Sequence, residues 1–167
     1  FQYVHLVMNK NSNVESDLHI VDTEPAFILQ TRAKERSAQP LVSCLLPAFN
    51  EEDNILLMLH TLHKLFTEQG LRHELIVIDD GSRDATVEKV LSEINQLPVT
   101  LLQLSRNFGK EIALSAGIDQ ANGDVAVLID CDFQHPPDLI PSFLAQWRRG
   151  YDMVFAIRSD RHDESFT

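Results

Sequence analysis

The sequence predicts an α/β fold built as a doubly wound, mostly parallel sheet with helices on both faces. Three observations predict it. Short apolar runs alternate with helical patterns from Leu41 onward, the runs are apolar at nearly every position, and the polar residues gather just after them. A run that is apolar throughout suits a strand covered on both faces. Strict alternation of strand and helix favours parallel pairing through right-handed crossovers.

Residues 1–40 are the least regular part and read as a partly loose N-terminal extension. Asn9 to Glu15 is polar, and Glu24 to Lys34 reads as a short helix. The domain proper is expected over 41–167. Leu41 to Leu46 is the first buried strand and ends at Pro47. A helix follows, with Ile55, Leu59, Leu62 and Phe66 on one face and Gly70 closing it. Glu74 to Ile78 is the second strand, cut by Asp79-Asp80-Gly81. Asp84 is placed to cap the next helix, whose inner face is expected to be Val87, Val90, Leu91 and Ile94. Val99 to Leu104 is the third strand, and Lys110 to Ala121 the third helix, with a turn at Gly123. Val125 to Ile129 is the fourth strand. Pro136 and Pro137 suit the first turn of a helix with an apolar stripe of Leu139, Ile140, Phe143, Leu144 and Trp147. Tyr151 to Ile157 is the fifth strand.

A length of 167 residues accommodates one domain with a substantial core. Acidic residues outnumber basic ones by 25 to 14, which argues against a nucleic-acid partner, since that would need a basic footprint. A nucleotide ligand is still compatible, because a divalent cation offsets a diphosphate locally. Cys44 and Cys131 both fall inside apolar runs and read as free buried thiols, in keeping with a reducing compartment. No apolar stretch reaches the roughly 18 residues that span a bilayer. The start at Phe1 and the end at Thr167 are those expected of a piece of a longer chain, with any membrane part lying beyond it.

In a sheet of this kind ligands sit at the carboxyl ends of the strands. There the sequence places Asn50, Glu51, Glu52 and Asp53 after the first strand, and Asp79 and Asp80 after the second. Arg106, Asn107 and Lys110 follow the third, Asp130, Asp132 and Gln134 the fourth, and Arg158 the fifth. Along an extended backbone Asp130 and Asp132 point the same way, so both carboxylates can face one hard cation such as Mg2+ or Mn2+. Gln134 continues that phase with a neutral oxygen. Asp79 or Asp80 suits a base N–H or a ribose hydroxyl. Arg106 and Lys110 either take phosphate charge or form salt bridges with this acidic edge. Asp84 and Thr86 read as helix-start residues, and His60, His63, His73 and His135 as scattered surface or loop residues.

Four stretches resemble glycosyltransferase family 2. They are Pro47-Ala48-Phe49-Asn50-Glu51-Glu52, Asp79 through Thr86, Arg106 through Glu111, and Asp130-Cys131-Asp132-Phe133-Gln134-His135-Pro136-Pro137-Asp138. Within that family the chain is most similar to the dolichyl-phosphate mannose synthase and bacterial polyprenyl-phosphate group, from Leu41 to Asp160. The resemblance implies a GT-A, Rossmann-like fold, a nucleoside-diphosphate sugar donor and a divalent metal, Mg2+ or Mn2+. It implies that Pro47, Ala48, Asn50, Glu51 and Asp79 line the nucleoside pocket, with Asp80 beside them. Asp130, Asp132 and Gln134 would hold metal and diphosphate, and Arg106, Lys110 and Arg158 would stand near phosphate or acceptor. It further implies an inverting transfer to a polyprenyl phosphate at the cytoplasmic face of the cell membrane, with membrane contact through a later C-terminal part. A UDP-sugar is the first expectation for the donor and a GDP-sugar the second. His135 departs from the pattern, standing where relatives often have Asp, and reads as a tolerated loop change.

Other readings make distinct demands. A phosphatase using an Asp-x-Asp nucleophile carries that motif on its first core strand, not its fourth. A sugar nucleotidyltransferase needs a glycine-rich loop after the first strand, where Pro47-Ala48-Phe49-Asn50 has no glycine. A family 2 enzyme with a saccharide hydroxyl acceptor, and an inactive nucleotide-binding scaffold, are the remaining alternatives.

Overall fold

The computed structural model describes the backbone of residues 6–9, 19–21, 26–29 and 36–157. The first elements are β1 (Leu6–Asn9), β2 (His19–Val21), β3 (Ala26–Leu29), β4 (Leu41–Ala48), α1 (Ile55–Glu68) and β5 (Arg72–Asp79). They are followed by α2 (Thr86–Glu93), β6 (Val99–Gln103), α3 (Lys110–Gln120) and β7 (Val125–Leu128). A 3-10 turn at Pro137–Leu139, α4 (Ile140–Arg148) and β8 (Met153–Ile157) complete the set. The strands form one eight-stranded sheet in the order β2-β3-β8-β1-β7-β4-β5-β6.

The half made of β7, β4, β5 and β6 is parallel throughout, as the alternating pattern predicts. The other half is antiparallel: β1 lies between β7 and β8, and β3 pairs with β8 and β2. Two expectations about the N-terminal residues change here. Within Glu24 to Lys34, Ala26–Leu29 is a strand and not a helix, while the flanking residues lie outside those described. A four-residue apolar run carries no period that separates helix from strand, and the open edge of β8 supplies the hydrogen-bonding partner. Asn9 likewise belongs to β1, with the remainder of Asn9 to Glu15 outside the described residues.

The two faces follow from strand periodicity. Val42, Cys44, Leu46 and Ala48 of β4 share one cluster with Leu75 and Val77 of β5 and with the buried stripes of α1 and α4. Leu45, Ile76, Ile78 and Ala126 face the other way, onto Ala113 of α3. Both thiols are free and buried, and burial pushes the Cys44 and Cys131 thiols up, so neither is a nucleophile at neutral pH. Helix α1 buries Ile55, Leu59, Leu62 and Phe66 as expected, and Gly70 ends it in the left-handed region at φ +64. Helix α2 differs from expectation: Val90 is buried, but Leu91 and Ile94 are 51% and 39% exposed. The helix runs only from Thr86 to Glu93, with Leu91 on its outer face and Ile94 at its C-terminal cap, while Leu97 and Val99 beyond it return to the core.

The histidines are also less superficial than expected. His63 Nδ1 and His73 Nε2 lie 2.9 Å apart, Phe66 stacks on His73, and His135 is buried. Burial and the facing His63 hold His73 below its ordinary value, with a partial offset from the Leu71 carbonyl. Among the described residues no helix is long and apolar enough to cross a membrane.

A polar network closes the amino-terminal edge of the sheet. Buried Ser43 donates to Glu74 Oε1, Asn122 N donates to the same oxygen at 2.7 Å, and Gly123 N donates to Ser43 Oγ at 2.8 Å. A β-carbon at Gly123 would stand 2.7 Å from the Leu41 carbonyl oxygen and 2.8 Å from Ser43 N, both backbone atoms. Gly123→Ala is therefore expected to destabilise the fold by about 2 kcal/mol through overpacking. For a chain of this size that lowers the thermal midpoint by about 4–8 °C, read by circular dichroism.

Burial works against ionisation of Glu74, yet its hydrogen bonds from Ser43 and Asn122 outweigh that and hold the carboxyl below its ordinary value. Its stabilising contribution is thus complete above the ordinary glutamate range and disappears as pH falls through the lower folded value. Glu74→Gln should flatten the acid limb of stability against pH, measured by urea titrations from neutral to acid pH.

Candidate active site

The carboxyl edge is assembled by strand register. Ala48, Asp79 and Gln103 stand in line across β4, β5 and β6. Beyond them the backbone is stitched further, with Asp80 N donating to the Ala48 carbonyl at 2.8 Å and Leu104 N to the Asp79 carbonyl at 2.9 Å. A cavity of about 330 Å³ opens here, lined among others by Phe49, Asp79, Arg83, Gln103, Arg106 and Asn107. Two guanidinium groups and one carboxylate among these residues give it a sign opposite to the chain's net charge of −11. A concave site with a few convergent polar groups and locally positive potential suits a phosphorylated small molecule.

The loop after β4 is tied to the loop after β5. Asn50 N donates to Ser82 Oγ at 2.9 Å, and Arg83 N donates to Asn50 Oδ1 at 2.8 Å. Glu51 N donates to Thr86 Oγ1 at 2.8 Å, Glu52 N to Asp84 Oδ2 at 3.1 Å, and Ala85 N to Glu52 Oε2 at 3.0 Å. Asn50 takes a positive φ of 55°, which asparagine tolerates better than most residues. Hydrogen bonds from Thr86 and from Glu52 N outweigh a desolvation effect on Asp84, holding its carboxyl below the ordinary aspartate range. Ala85 and not Asp84 takes the cap position of α2, but Asp84 still serves the helix start by accepting Thr86 N at 3.0 Å.

The residues read from the sequence occupy distinct places. Asp79 is buried and lines the cavity, its oxygens accepting Ser82 N at 3.2 and 3.3 Å. Asp80 is also buried, but both its oxygens are engaged by backbone: Phe108 N at 2.7 Å and Gly109 N at 2.9 Å. Ala48 is buried in the core, and the carbonyl of half-buried Pro47 accepts a weak hydrogen bond from Cys131 Sγ, 3.8 Å away. Asn50 and Glu51 are held in the loop, with Asn54 Nδ2 donating to Glu51 Oε2 at 3.0 Å.

The two cations expected after β6 part company. Lys110 Nζ contacts both oxygens of Asp130, at 2.7 Å to Oδ2, whereas Arg106 stacks over the Phe108 ring at 4.6 Å and is among the residues lining the cavity. Arg158 lies outside the described residues. Beyond β7 the alternation of directions does not persist, because Phe133 adopts a positive φ of 57° and Gln134 N turns back to Asp132 Oδ1 at 3.0 Å. The extended backbone on which Asp130, Asp132 and Gln134 were expected to share one direction is thus absent, since β7 ends at Leu128 and Cys131 and Asp132 lie in a turn. The sequence reading missed Phe49, Arg83 and Gln103 as cavity residues. Gln103 was legible as the residue level with Asp79 on the next strand; Phe49 and Arg83 carried no signal beyond lying in the right loops.

The residues after β7 fit a divalent cation in part. Two carboxylates two residues apart give hard oxygen donors, and Asp130 already holds a cation, the Lys110 ammonium. Among the described residues no group of three His, Cys, Asp or Glu side chains converges. An ion here would draw its other oxygens from ligand phosphate and water, as Mg2+ sites with one or two carboxylates commonly do.

The family profile described as Glycosyl transferase family 2 matches residues 43–167. The chain belongs to glycosyltransferase family 2. Family 2 relatives include an uncharacterized glycosyltransferase of Synechocystis, 42% identical over 75% of this chain and 40% of the relative. A prophage bactoprenol glucosyl transferase homolog of Escherichia coli is 41% identical, covering 72% and 40%. An undecaprenyl-phosphate 4-deoxy-4-formamido-L-arabinose transferase of Pseudomonas fluorescens is 36% identical, covering 75% and 38%. The chain thus spans about two fifths of the length of these curated relatives.

Among solved structures it is similar to glucosyl-3-phosphoglycerate synthase of Mycobacterium tuberculosis in complex with Mn2+, UDP and glucosyl-3-phosphoglycerate. That likeness has a TM-score of 0.55 and 28% identity over 68% of this chain and 41% of the other. Staphylococcus aureus TarS in complex with UDP-GlcNAc gives a TM-score of 0.51 and 28% identity, covering 63% and 31%. The fold is the GT-A, Rossmann-like α/β fold of these glycosyltransferases.

Proposed function

We propose that this domain binds the nucleoside-diphosphate sugar in an inverting, metal-dependent transfer of a sugar to a polyprenyl phosphate. The observation that carries the reading is the cavity at the ends of β5 and β6, which buried Asp79 lines together with Arg83 and Arg106. The names of the bactoprenol and undecaprenyl-phosphate relatives support the acceptor class. The Mn2+ and UDP bound to the M. tuberculosis enzyme support the cofactor and donor classes.

In this reading Asp79 accepts a hydrogen bond from the nucleoside, and the backbone edge at Pro47 and Ala48 with Asn50 and Glu51 borders it. Arg106 takes diphosphate charge, with Arg158 assigned to phosphate or acceptor. Asp130 and Asp132 would hold Mg2+ or Mn2+, beside Gln134. Once bound, the ion would neutralise charge on the departing diphosphate. A phosphate oxygen of the acceptor bonds to the anomeric carbon as the carbon–oxygen bond to the donor diphosphate breaks. The bonding pair leaves with the nucleoside diphosphate. An acceptor phosphate is anionic at neutral pH, so this displacement requires no side-chain base. Membrane contact belongs to parts of the protein beyond this domain, with the acceptor presented at the cytoplasmic face.

Calorimetric titration with UDP and with GDP, each with and without Mn2+, checks the donor half of the reading. Metal-dependent binding of one nucleotide is expected, with UDP the first choice. Failure of both to bind a folded chain would overturn it. Transfer of radiolabelled sugar to undecaprenyl phosphate, against a saccharide acceptor as control, checks the acceptor.

A further inference from the structure

The geometry points to Asp80 as a positioning residue that fixes the basic loop before α3, rather than a group that touches the nucleotide. Its carboxylate is buried, and each oxygen accepts one of two consecutive amides, Phe108 N at 2.7 Å and Gly109 N at 2.9 Å. Its own amide is anchored to the Ala48 carbonyl at 2.8 Å, so the residue joins β4, β5 and the α3 loop. Each Asp80 oxygen has its own short amide donor, whereas the two oxygens of cavity-lining Asp79 share the single Ser82 amide at 3.2 and 3.3 Å.

The next residue enforces the same approach. A β-carbon at Gly81 would lie 2.7 Å from both the Arg106 carbonyl carbon and Asn107 N, and Gly81 has φ +77. The loop backbone therefore rests directly on Gly81, where only glycine fits without displacement. Two consequences follow from one clamp. Phe108, held by its amide, carries the ring over which the Arg106 guanidinium stacks at 4.6 Å, and Arg106 lines the cavity. Gly109, held by the second amide, precedes Lys110, whose ammonium meets Asp130. The loop that borders the nucleoside side thereby sets where the cations stand.

Hydrogen exchange resolved to single amides tests this first on the unaltered chain. Phe108 and Gly109 amides are expected to exchange at least tenfold more slowly than the amide of the exposed residue Ser105. Equal rates would overturn the clamp. In Asp80→Asn the side chain keeps one acceptor but turns an NH2 toward an amide donor. Exchange at Phe108 and Gly109 should then accelerate tenfold or more, with Leu75 to Ile78 unchanged. Unaltered protection at the two amides, or equal loss across β5, would refute a local positioning role.

The second measurement rests on the proposed donor site. UDP or GDP affinity, whichever nucleotide binds, should fall about tenfold in Asp80→Asn and in Arg106→Ala, but no further in the double variant. Affinity for the parent nucleoside should not move. Losses that multiply, or a weakened nucleoside, would mean that Asp80 acts other than through Arg106. If neither nucleotide binds the unaltered chain, the donor-site reading fails while the amide exchange still decides the clamp.

Discussion

Replacing Asp152 by alanine is expected to destabilise the fold by about 3–5 kcal/mol, the cost of leaving a buried charge uncompensated. Arg36 Nη2 and Asp152 Oδ1 are 2.9 Å apart, and their side chains are only 6% and 7% exposed. The guanidinium also lies over the Trp147 ring at 4.6 Å, so one face of it is closed by α4. Burial pulls the Arg36 value down while the charge and hydrogen bond of Asp152 push it back up. Arginine cannot escape by losing its proton, so without Asp152 the charge stays and the fold bears the desolvation. Urea unfolding should show the midpoint falling with the slope unchanged. A double variant that also replaces Arg36 with methionine should recover most of the loss, because a well-packed apolar pair is close to neutral relative to a buried ion pair. A loss below about 1 kcal/mol in Asp152→Ala would show that the pair behaves as a solvated surface contact.

This ion pair was not legible in the sequence, and the reason is general. Arg36 and Asp152 are 116 positions apart and carry no local pattern, so their meeting depends on the antiparallel half of the sheet. The parallel half was legible, because the runs at 41–48, 75–78 and 125–128 are apolar at nearly every position and each is bounded by a clear break. The N-terminal strands were not. Ala26–Leu29 is too short for its period to distinguish strand from helix, and only pairing with β8 decides it.

Within the site, residue type showed which loops matter but not which atoms were already engaged. Asp79 and Asp80 are indistinguishable as letters. In the fold one lines the cavity and the other holds two backbone amides. The same holds for the two cations, since Lys110 is taken by Asp130 while Arg106 stacks on Phe108 and lines the cavity. Alternation after β7 misled for a local reason: the strand ends at Leu128 and the chain turns at Cys131 and Asp132, before the positive φ at Phe133.

The residues after β7 make the second large prediction, in which neighbouring substitutions act with opposite sign. Asp130→Asn and Asp132→Ala are each expected to weaken Mn2+-dependent nucleotide binding by about 2–4 kcal/mol, roughly 30- to 1,000-fold. With no third His, Cys, Asp or Glu converging among the described residues, an ion depends on these two carboxylates and on phosphate oxygens. Mn2+ alone should therefore bind weakly, and nucleotide and metal should strengthen each other by the same factor.

Lys110 competes for one of the two ligands, since its ammonium already contacts both Asp130 oxygens. That pair is half in solvent on the lysine side, 54% exposed against 27%, so it contributes about 1 kcal/mol at most. Lys110→Ala should accordingly leave the melting temperature nearly unchanged and tighten binding of Mn2+ alone by up to about fivefold. Water-proton relaxation during a Mn2+ titration, without nucleotide, measures this directly. Weaker Mn2+ binding in Lys110→Ala would mean that the lysine orients Asp130 for the ion and does not compete with it. Unchanged Mn2+ binding in Asp130→Asn would remove that carboxylate from the metal site altogether.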